Sequence, residues 1–173
     1  MPRVVAALAL TALLPCSIQA QAPFLPTPPD VVLRMLKLAQ VRQGDVVYDL
    51  GCGDGRIVIA AARTFGARGV GVDIDPVRIE EARRNAREAG VEHLVTFRLQ
   101  DALNTDVSEA TVVALYLVSA LNVRLRPILT QQLRPGARIV SHNYPIGDWE
   151  PDVVDVFTSG DGRSRTLYLW KMK

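Results

Sequence analysis

Asp49-Leu50-Gly51-Cys52-Gly53-Asp54-Gly55-Arg56 is the stretch on which the fold turns. It overlaps the end of Asp45-Val46-Val47-Tyr48-Asp49-Leu50, a short β-rich run, and leads into residues 57–65, an apolar segment stopped by Gly66. That order reads as strand, turn, helix. The turn at the carboxyl end of such a strand is where open α/β sheets bind nucleotide-like ligands. Glycines at 51 and 53 let the backbone turn sharply and come close to a ligand, because neither carries a Cβ. A dinucleotide fingerprint counted from Gly51 would put its third glycine at position 56, where Arg56 stands. The loop therefore departs from that fingerprint. Asp49 and Asp54 beside the glycines suit a cation better than a pyrophosphate.

Outward from this loop the unit repeats. Residues 68–73 form a second strand ending in Asp73, and Asp75-Pro76 caps a helix whose face is marked by Ile79, Ala82, Ala86 and Ala89 and which closes at Gly90. Residues 93–99, 111–118 and 138–142 give three more strands. A helix over 122–133, broken or restarted at Pro127, lies between the last two. Residues 153–157 and 166–170 close the chain as a hairpin around Gly160-Asp161-Gly162. Upstream, Thr27 is placed to cap a helix over 28–40 with Pro28 and Pro29 in its first turn. Alternating strands and helices with a terminal hairpin predict a mostly parallel sheet covered on both faces, with an antiparallel edge. Asp73 stands 22 positions after Gly51, where a carboxylate can accept both hydroxyls of a ribose.

The G-x-G-x-G pattern preceded by Asp49 resembles the first motif of class I S-adenosylmethionine-dependent methyltransferases. The resemblance runs from Thr27 to about Trp170 and implies a Rossmann-like α/β fold with a seven-stranded sheet. It implies S-adenosylmethionine as cofactor, held by Asp49, Gly51, Cys52, Gly53, Asp54 and Asp73, with Asp101 after the third strand meeting the adenine amino group. A narrower resemblance rests on Thr27-Pro28, on the loop with Arg56, and on Tyr144-Pro145-Ile146-Gly147-Asp148-Trp149-Glu150-Pro151. These look like the mitochondrial family that methylates lysines of the ADP/ATP carrier and the ATP synthase c-subunit, and like its bacterial relatives. That resemblance implies protein-lysine methylation near a membrane.

For the acceptor, Tyr116 is expected to line the methyl-transfer channel and Trp149 to wall the pocket as an aromatic partner for an ammonium; a half-buried strand tyrosine and a loop anchor are the plain alternatives. The segment Ala114-Leu115-Tyr116-Leu117-Val118 lacks the Asn/Asp-Pro-Pro-Tyr element that holds planar nitrogens, which argues against DNA or glutamine acceptors. His142 reads as a hydrogen-bonded structural residue. With His93 it completes the histidines, and neither has neighbours at metal-ligand spacing, so no metal is expected. Cys52 reads as a small residue between two glycines.

The chain has 173 residues, 20 Lys+Arg against 18 Asp+Glu, 49% hydrophobic and 22% charged residues, which fits one globular domain and excludes disorder. The near-neutral balance argues against nucleic-acid binding. Arg78, Arg83, Arg84 and Arg87 alternate with Glu80, Glu81 and Glu88 and read as a solvated helix face, with pairs such as Glu80 and Arg84. Cys16 and Cys52 give no disulfide framework. Residues 1–20, with Arg3, an apolar run over 4–14 and Ser17-Ile18-Gln19-Ala20, read as a signal peptide cleaved near Gln21, or as an uncleaved anchor. Residues 21–29 form a Pro-rich linker, and 30–173 the methyltransferase domain, expected as a monomer. Export, to the periplasm or as a tethered form, conflicts with a cofactor made in the cytosol. A small-molecule methyltransferase and a non-catalytic exported binding module are therefore the competing readings.

Overall fold

The computed structural model describes residues 25–173; the signal or anchor expected over 1–20 and the start of the linker lie outside them. Seven strands form one sheet in the order β3-β2-β1-β4-β5-β7-β6: β1 (Val46–Leu50), β2 (Arg68–Asp73), β3 (Val95–Leu99), β4 (Val112–Leu115), β5 (Arg138–His142), β6 (Val153–Thr158) and β7 (Ser164–Lys171). β1 to β5 pair in parallel, and β7 runs antiparallel to both β5 and β6. The expected fold is the one found.

Alternation along the strands divides the core. Val47 and Leu169 face one side with helices α1 (Pro29–Leu38), α2 (Arg56–Phe65) and α3 (Pro76–Glu88), whereas Tyr48, Leu50 and Trp170 face the other with α4 (Ser119–Gln132). Successive strand residues point to opposite faces, so β1 feeds both layers at once. Gly69 of β2 answers to α2: a Cβ there would stand 2.7 Å from Val58. A glycine inside a strand commonly marks such close approach.

Four local expectations are corrected. The fourth strand stops at Leu115, opposite Leu50 of β1 and Ser141 of β5, and residues 116–118 leave the sheet. α4 runs unbroken through Pro127. Val123, whose carbonyl loses its helical donor there, lies on the exposed side, and Thr130 Oγ1 donates back to the Arg126 and Pro127 carbonyls. Thr27 caps nothing: Pro28 is the N-cap of α1, without a side-chain cap, and Thr27 is buried. Glu80 pairs with Arg83, one position short of Arg84, while Arg78 bonds Glu81.

Candidate active site

The sheet order reverses between β1 and β4, and a ligand crevice belongs outside the carboxyl ends of strands flanking such a point. A cleft of about 620 Å³ opens there. Its walls are the glycine loop, the ends of β2 and β3, the segment after β4, and residues 25–27. A shallower groove of about 670 Å³ at the other end of the sheet is lined by turns and by Asp45 and Arg138, which are already paired at 2.8 Å. The first cleft holds the residues with chemistry to offer.

β1 delivers Asp49 to the floor of that cleft. Its carboxylate is 2% exposed and has no hydrogen-bond partner among the described residues. Burial, then the charges of Asp73 and Asp54, push its pKa up to about 8. Gly51 follows at φ +84°, with room for no side chain, since a Cβ would stand 2.6 Å from Leu117 Cδ2. Cys52 packs against β2, where a Cβ on Gly71 would meet its Sγ at 2.8 Å. Burial drives the Cys52 thiol far above its ordinary pKa, with Asp49 and Asp73 adding to the effect. It is a packing residue and not a nucleophile.

Asp73, at the end of β2, accepts from the backbone N–H of Gly53 at 2.9 Å and of Asp75 at 3.0 Å. Asp54 is not free to face a cation, as its place in the loop suggests it should be. Arg56 Nε donates to it at 2.9 Å, and Arg56 Nη1 donates to the Thr27 carbonyl at 2.8 Å. One guanidinium thus ties the glycine loop to the segment entering α1. Asp101 lies on the rim, where Oδ1 accepts from the Leu103 N–H and caps a single 3-10 turn, Ala102–Asn104.

On the β4 side of the cleft the chain leaves the strand at Tyr116, which lines it. Its ring stacks on His142 at 4.1 Å between centroids and lies 6.2 Å from Tyr144 at an interplanar angle of 27°. His142 is fully buried, and burial, with Arg165 nearby, lowers its pKa to about 4. The imidazole is therefore neutral, 3.4 Å from Thr27 Oγ1 through Nδ1, with Nε2 unpartnered. Asn143 adopts a left-handed conformation, φ +62°, and clamps Thr166 through backbone and side chain. That turn sends Tyr144 into the cleft, and its carbonyl is fixed by Ser141 Oγ at 2.6 Å and Asn122 Nδ2 at 3.1 Å.

Trp149 does not line the cleft. It packs on Trp170, 5.9 Å between centroids, with Arg126 over its ring, and its carbonyl accepts from Trp170 Nε1 at 3.0 Å. The aromatic partner on the acceptor side is Tyr144. It belongs to the same quoted stretch, Tyr144 through Pro151, and the sequence holds no other signal for it. Thr27 and Arg56 carry signals of other kinds, as a cap and as the residue that spoils a dinucleotide fingerprint. Among the described residues no cluster of His, Cys, Asp and Glu is suited to a metal ion.

The family model described as the ANTKMT methyltransferase domain matches residues 49–153. The chain belongs to this family. The methyltransferase is 44% identical to a protein-lysine N-methyltransferase from Saccharolobus islandicus (strain REY15A) over 149 residues, covering 86% of this chain and 92% of that protein. It is 30% identical to the adenine nucleotide translocase lysine N-methyltransferase of Mus musculus over 148 residues, 86% of this chain, and spans 62% of that longer protein's length. A solved structure described as an RNA methyltransferase from Salinibacter ruber in complex with S-adenosyl-L-homocysteine is 55% identical, with a TM-score of 0.80, over 86% of this chain and 94% of that one.

S-adenosylmethionine is thus the methyltransferase's cofactor, and the cleft fits it. The unpartnered Asp49 carboxylate is the natural seat for its cationic end. Gly51, at φ +84°, holds the loop in a conformation that side chains rarely adopt, and it lines the cleft. Asp73 and Asp101 both line the cleft and would take the ribose hydroxyls and the adenine amino group, and Ile74, 54% exposed, also lines it. When bound, the cofactor supplies an electrophilic methyl on sulfur.

Proposed function

We propose that this methyltransferase transfers a methyl group to the side-chain amine of lysine in a protein acceptor. The observation that carries the reading is the 44% identity to the Saccharolobus protein-lysine N-methyltransferase over nearly its whole length. The cleft supports it chemically. Methyl transfer from sulfonium to nitrogen is an in-line displacement in which the site mainly aligns two atoms and excludes water. The amine must arrive neutral, and an apolar wall favours its neutral form. Tyr116 and Tyr144 supply that wall, and the His142 stacked behind Tyr116 is neutral and adds no positive charge. The cleft is open toward solvent beside Val118 and Tyr144, 48% and 36% exposed, which suits a side chain presented by another protein.

The Salinibacter structure, described as an RNA methyltransferase, favours a second reading, an RNA acceptor. Against it stands a chain with a formal charge of +2, a weak source of attraction for a phosphate backbone. The finer features of the reading are a membrane-associated acceptor, a monomeric enzyme, and residues 1–20 acting as a leader or tether. The apolar run over 4–14 supports the leader or tether and an acceptor near a membrane; N-terminal sequencing and fractionation of the native protein test these, and sedimentation tests the monomer. Among the described residues no helix is long and apolar enough to cross a membrane.

The acceptor is tested by incubating the enzyme with tritiated S-adenosylmethionine and a membrane extract from cells lacking it. Label that survives ribonuclease and maps to lysine is the expected result. Label released by ribonuclease, or found only in lipid or small molecules, overturns the reading.

A further inference from the structure

Residues 25–27 wall the cleft without belonging to a helix or a strand. Leu25 and Pro26 are exposed, Leu25 by 62%, whereas Thr27 is buried. This strap is therefore seated through Thr27, which meets the glycine-loop side of the cleft and the aromatic side. Its carbonyl accepts from Arg56 Nη1 at 2.8 Å, and its Oγ1 lies 3.4 Å from Nδ1 of His142, the ring stacked on Tyr116. The two contacts differ in strength. At 3.4 Å the hydroxyl is near the limit of a hydrogen bond, while the bond from the guanidinium is short and charge-assisted. Arg56 supplies the main tie.

Arg56 itself stands on a firm base. It is the first residue of α2, directly after the glycine loop. Its Nε and Nη2 hold the Asp54 carboxylate at 2.9 and 2.5 Å, and the Asp54 carbonyl accepts from Asn85 Nδ2 of α3 at 3.0 Å. A planar guanidinium gripped on two nitrogens presents its third in a fixed direction. Behind the strap, α1 is anchored separately, by Asp30 on Gly160 and by Arg34 on Asp155. The strap thus runs out from a fixed helix and is tied down by one strong bond. A segment with few buried contacts opens more readily than the sheet beside it.

We infer that Arg56 is a positioning residue that latches residues 25–27 as a movable wall of the cofactor cleft, and that this latch opens each time S-adenosylhomocysteine leaves. The role holds for any acceptor, since it concerns the cofactor alone. Turnover needs both states of the wall. Methyl transfer is aligned and kept from water with the wall in place. The spent cofactor must nevertheless leave before the next S-adenosylmethionine enters, and opening of such a lid commonly sets the rate of exchange. Arg56 acts here through Thr27 and touches none of the reacting atoms.

The test times dissociation of S-adenosylhomocysteine from the full chain by stopped-flow displacement with a fluorescent analogue of it. Three changes are compared: Arg56→Ala, Arg56→Lys, and the pair Pro26→Gly with Thr27→Gly, which slackens the strap and leaves the Asp54–Arg56 pair in place. Arg56→Ala should speed dissociation by about tenfold or more, the worth of one charge-assisted bond. Arg56→Lys keeps a donor but loses the fork, so its rate should fall between those of Arg56→Ala and the wild type. The glycine pair should speed dissociation as well, and adding Arg56→Ala to it should change the rate by less than about twofold, because the latch then has nothing to hold. Unchanged dissociation in Arg56→Ala or in the glycine pair overturns the inference. So does a full-sized effect of Arg56→Ala on top of the glycine pair, which would place the action of Arg56 in the glycine loop. Should Arg56→Ala fail to fold, the same comparison is made with Arg56→Lys.

Discussion

The backbone N–H of Gly53 donates to the carboxylate of Asp73 at 2.9 Å, across twenty residues of chain. The acid that would hold the ribose is therefore also the acid that shapes the glycine loop. Asp73→Ala removes both roles, leaving the Gly53 N–H without its acceptor and the ribose without charge-assisted bonds, each worth ~1.5–3 kcal/mol. Calorimetry should show binding of S-adenosylhomocysteine weakened by at least about tenfold, with the fold retained. Asp73→Asn, which keeps one acceptor oxygen, should fall between the two. Equal affinity in wild type and Asp73→Ala would refute the assignment.

Asp49 makes the free enzyme sensitive to pH. Its carboxyl, buried and beside two other acids, titrates at about 8 in the folded chain, against ~3.9 when unfolded. The folded state thus favours the protonated form, so the contribution to stability is full below about pH 4 and is lost as pH rises toward 8. The cationic cofactor favours the ionised form, so binding at pH 7 should release a proton. That release appears as a binding enthalpy that varies with the ionisation enthalpy of the buffer. Asp49→Asn should abolish the variation, weaken S-adenosylmethionine binding and raise the melting temperature of the free enzyme at pH 8. A buffer dependence that persists in the variant would show that another group carries the proton.

Cys52 is expected to be chemically silent. It is 4% exposed and its thiol is held far from ionisation, and the thiolate is the reactive form. Alkylation of the native enzyme at pH 8 followed by peptide mapping should leave Cys52 unmodified until the protein unfolds. Its size matters more than its sulfur. Cys52→Ala should be tolerated, whereas Gly71→Ala, whose Cβ would stand 2.8 Å from both Cys52 Sγ and Phe97 Cδ1, should destabilise by ~1–3 kcal/mol through overpacking.

At the opposite end of the sheet, Asp45 is 5% exposed and bonded to Arg138, Thr111 and the Arg42 N–H. Burial works to raise its pKa, but these partners together hold it below the ordinary carboxylate value. Its contribution is present above the unfolded pKa and is lost as pH falls through the folded one, in the acid range below about 4. Arg138→Ala strands a buried carboxylate and should cost ~3–5 kcal/mol in denaturant unfolding at pH 7. The loss should shrink as pH falls below the ordinary carboxylate range and through the lowered pKa of Asp45, where the group becomes neutral in both proteins. A constant difference across that range would mean that the ion pair is not its source.

Much of the fold is legible in the chain itself. Glycine and proline punctuate it at Gly66, Pro76, Gly90 and Pro135-Gly136, so the order of strands and helices follows from local chemistry. Asp49 and Asp73 can be placed because each lies at the carboxyl end of a strand, and a strand end in a parallel sheet has one address. What local spacing hides depends on contacts distant in sequence. Thr27 looks like a cap by its neighbours, yet it meets His142, 115 positions away. Trp149 suggests a pocket wall because an aromatic ring suits an ammonium. The left-handed turn at Asn143 and the waiting indole of Trp170 decide which aromatic of that stretch reaches the cleft, and neither is visible in the spacing of residues. Pro127 looks like a break only while its exposure on α4 is unknown.

The segment that walls the cleft at the start of the chain is held by its end. Asp30 accepts from the Gly160 N–H at 2.7 Å, Arg34 grips Asp155 at 2.6 Å and lies over Phe157, and Thr27 meets His142. A ribosome delivers residues in order, and the glycine loop emerges roughly a hundred residues before the hairpin that fixes the opposite wall. A nascent or truncated chain that stops before β6 carries every acid of the cofactor motif on an unclosed site. A cut within residues 158–164 is therefore expected to loosen the entrance to a cleft whose floor it never touches.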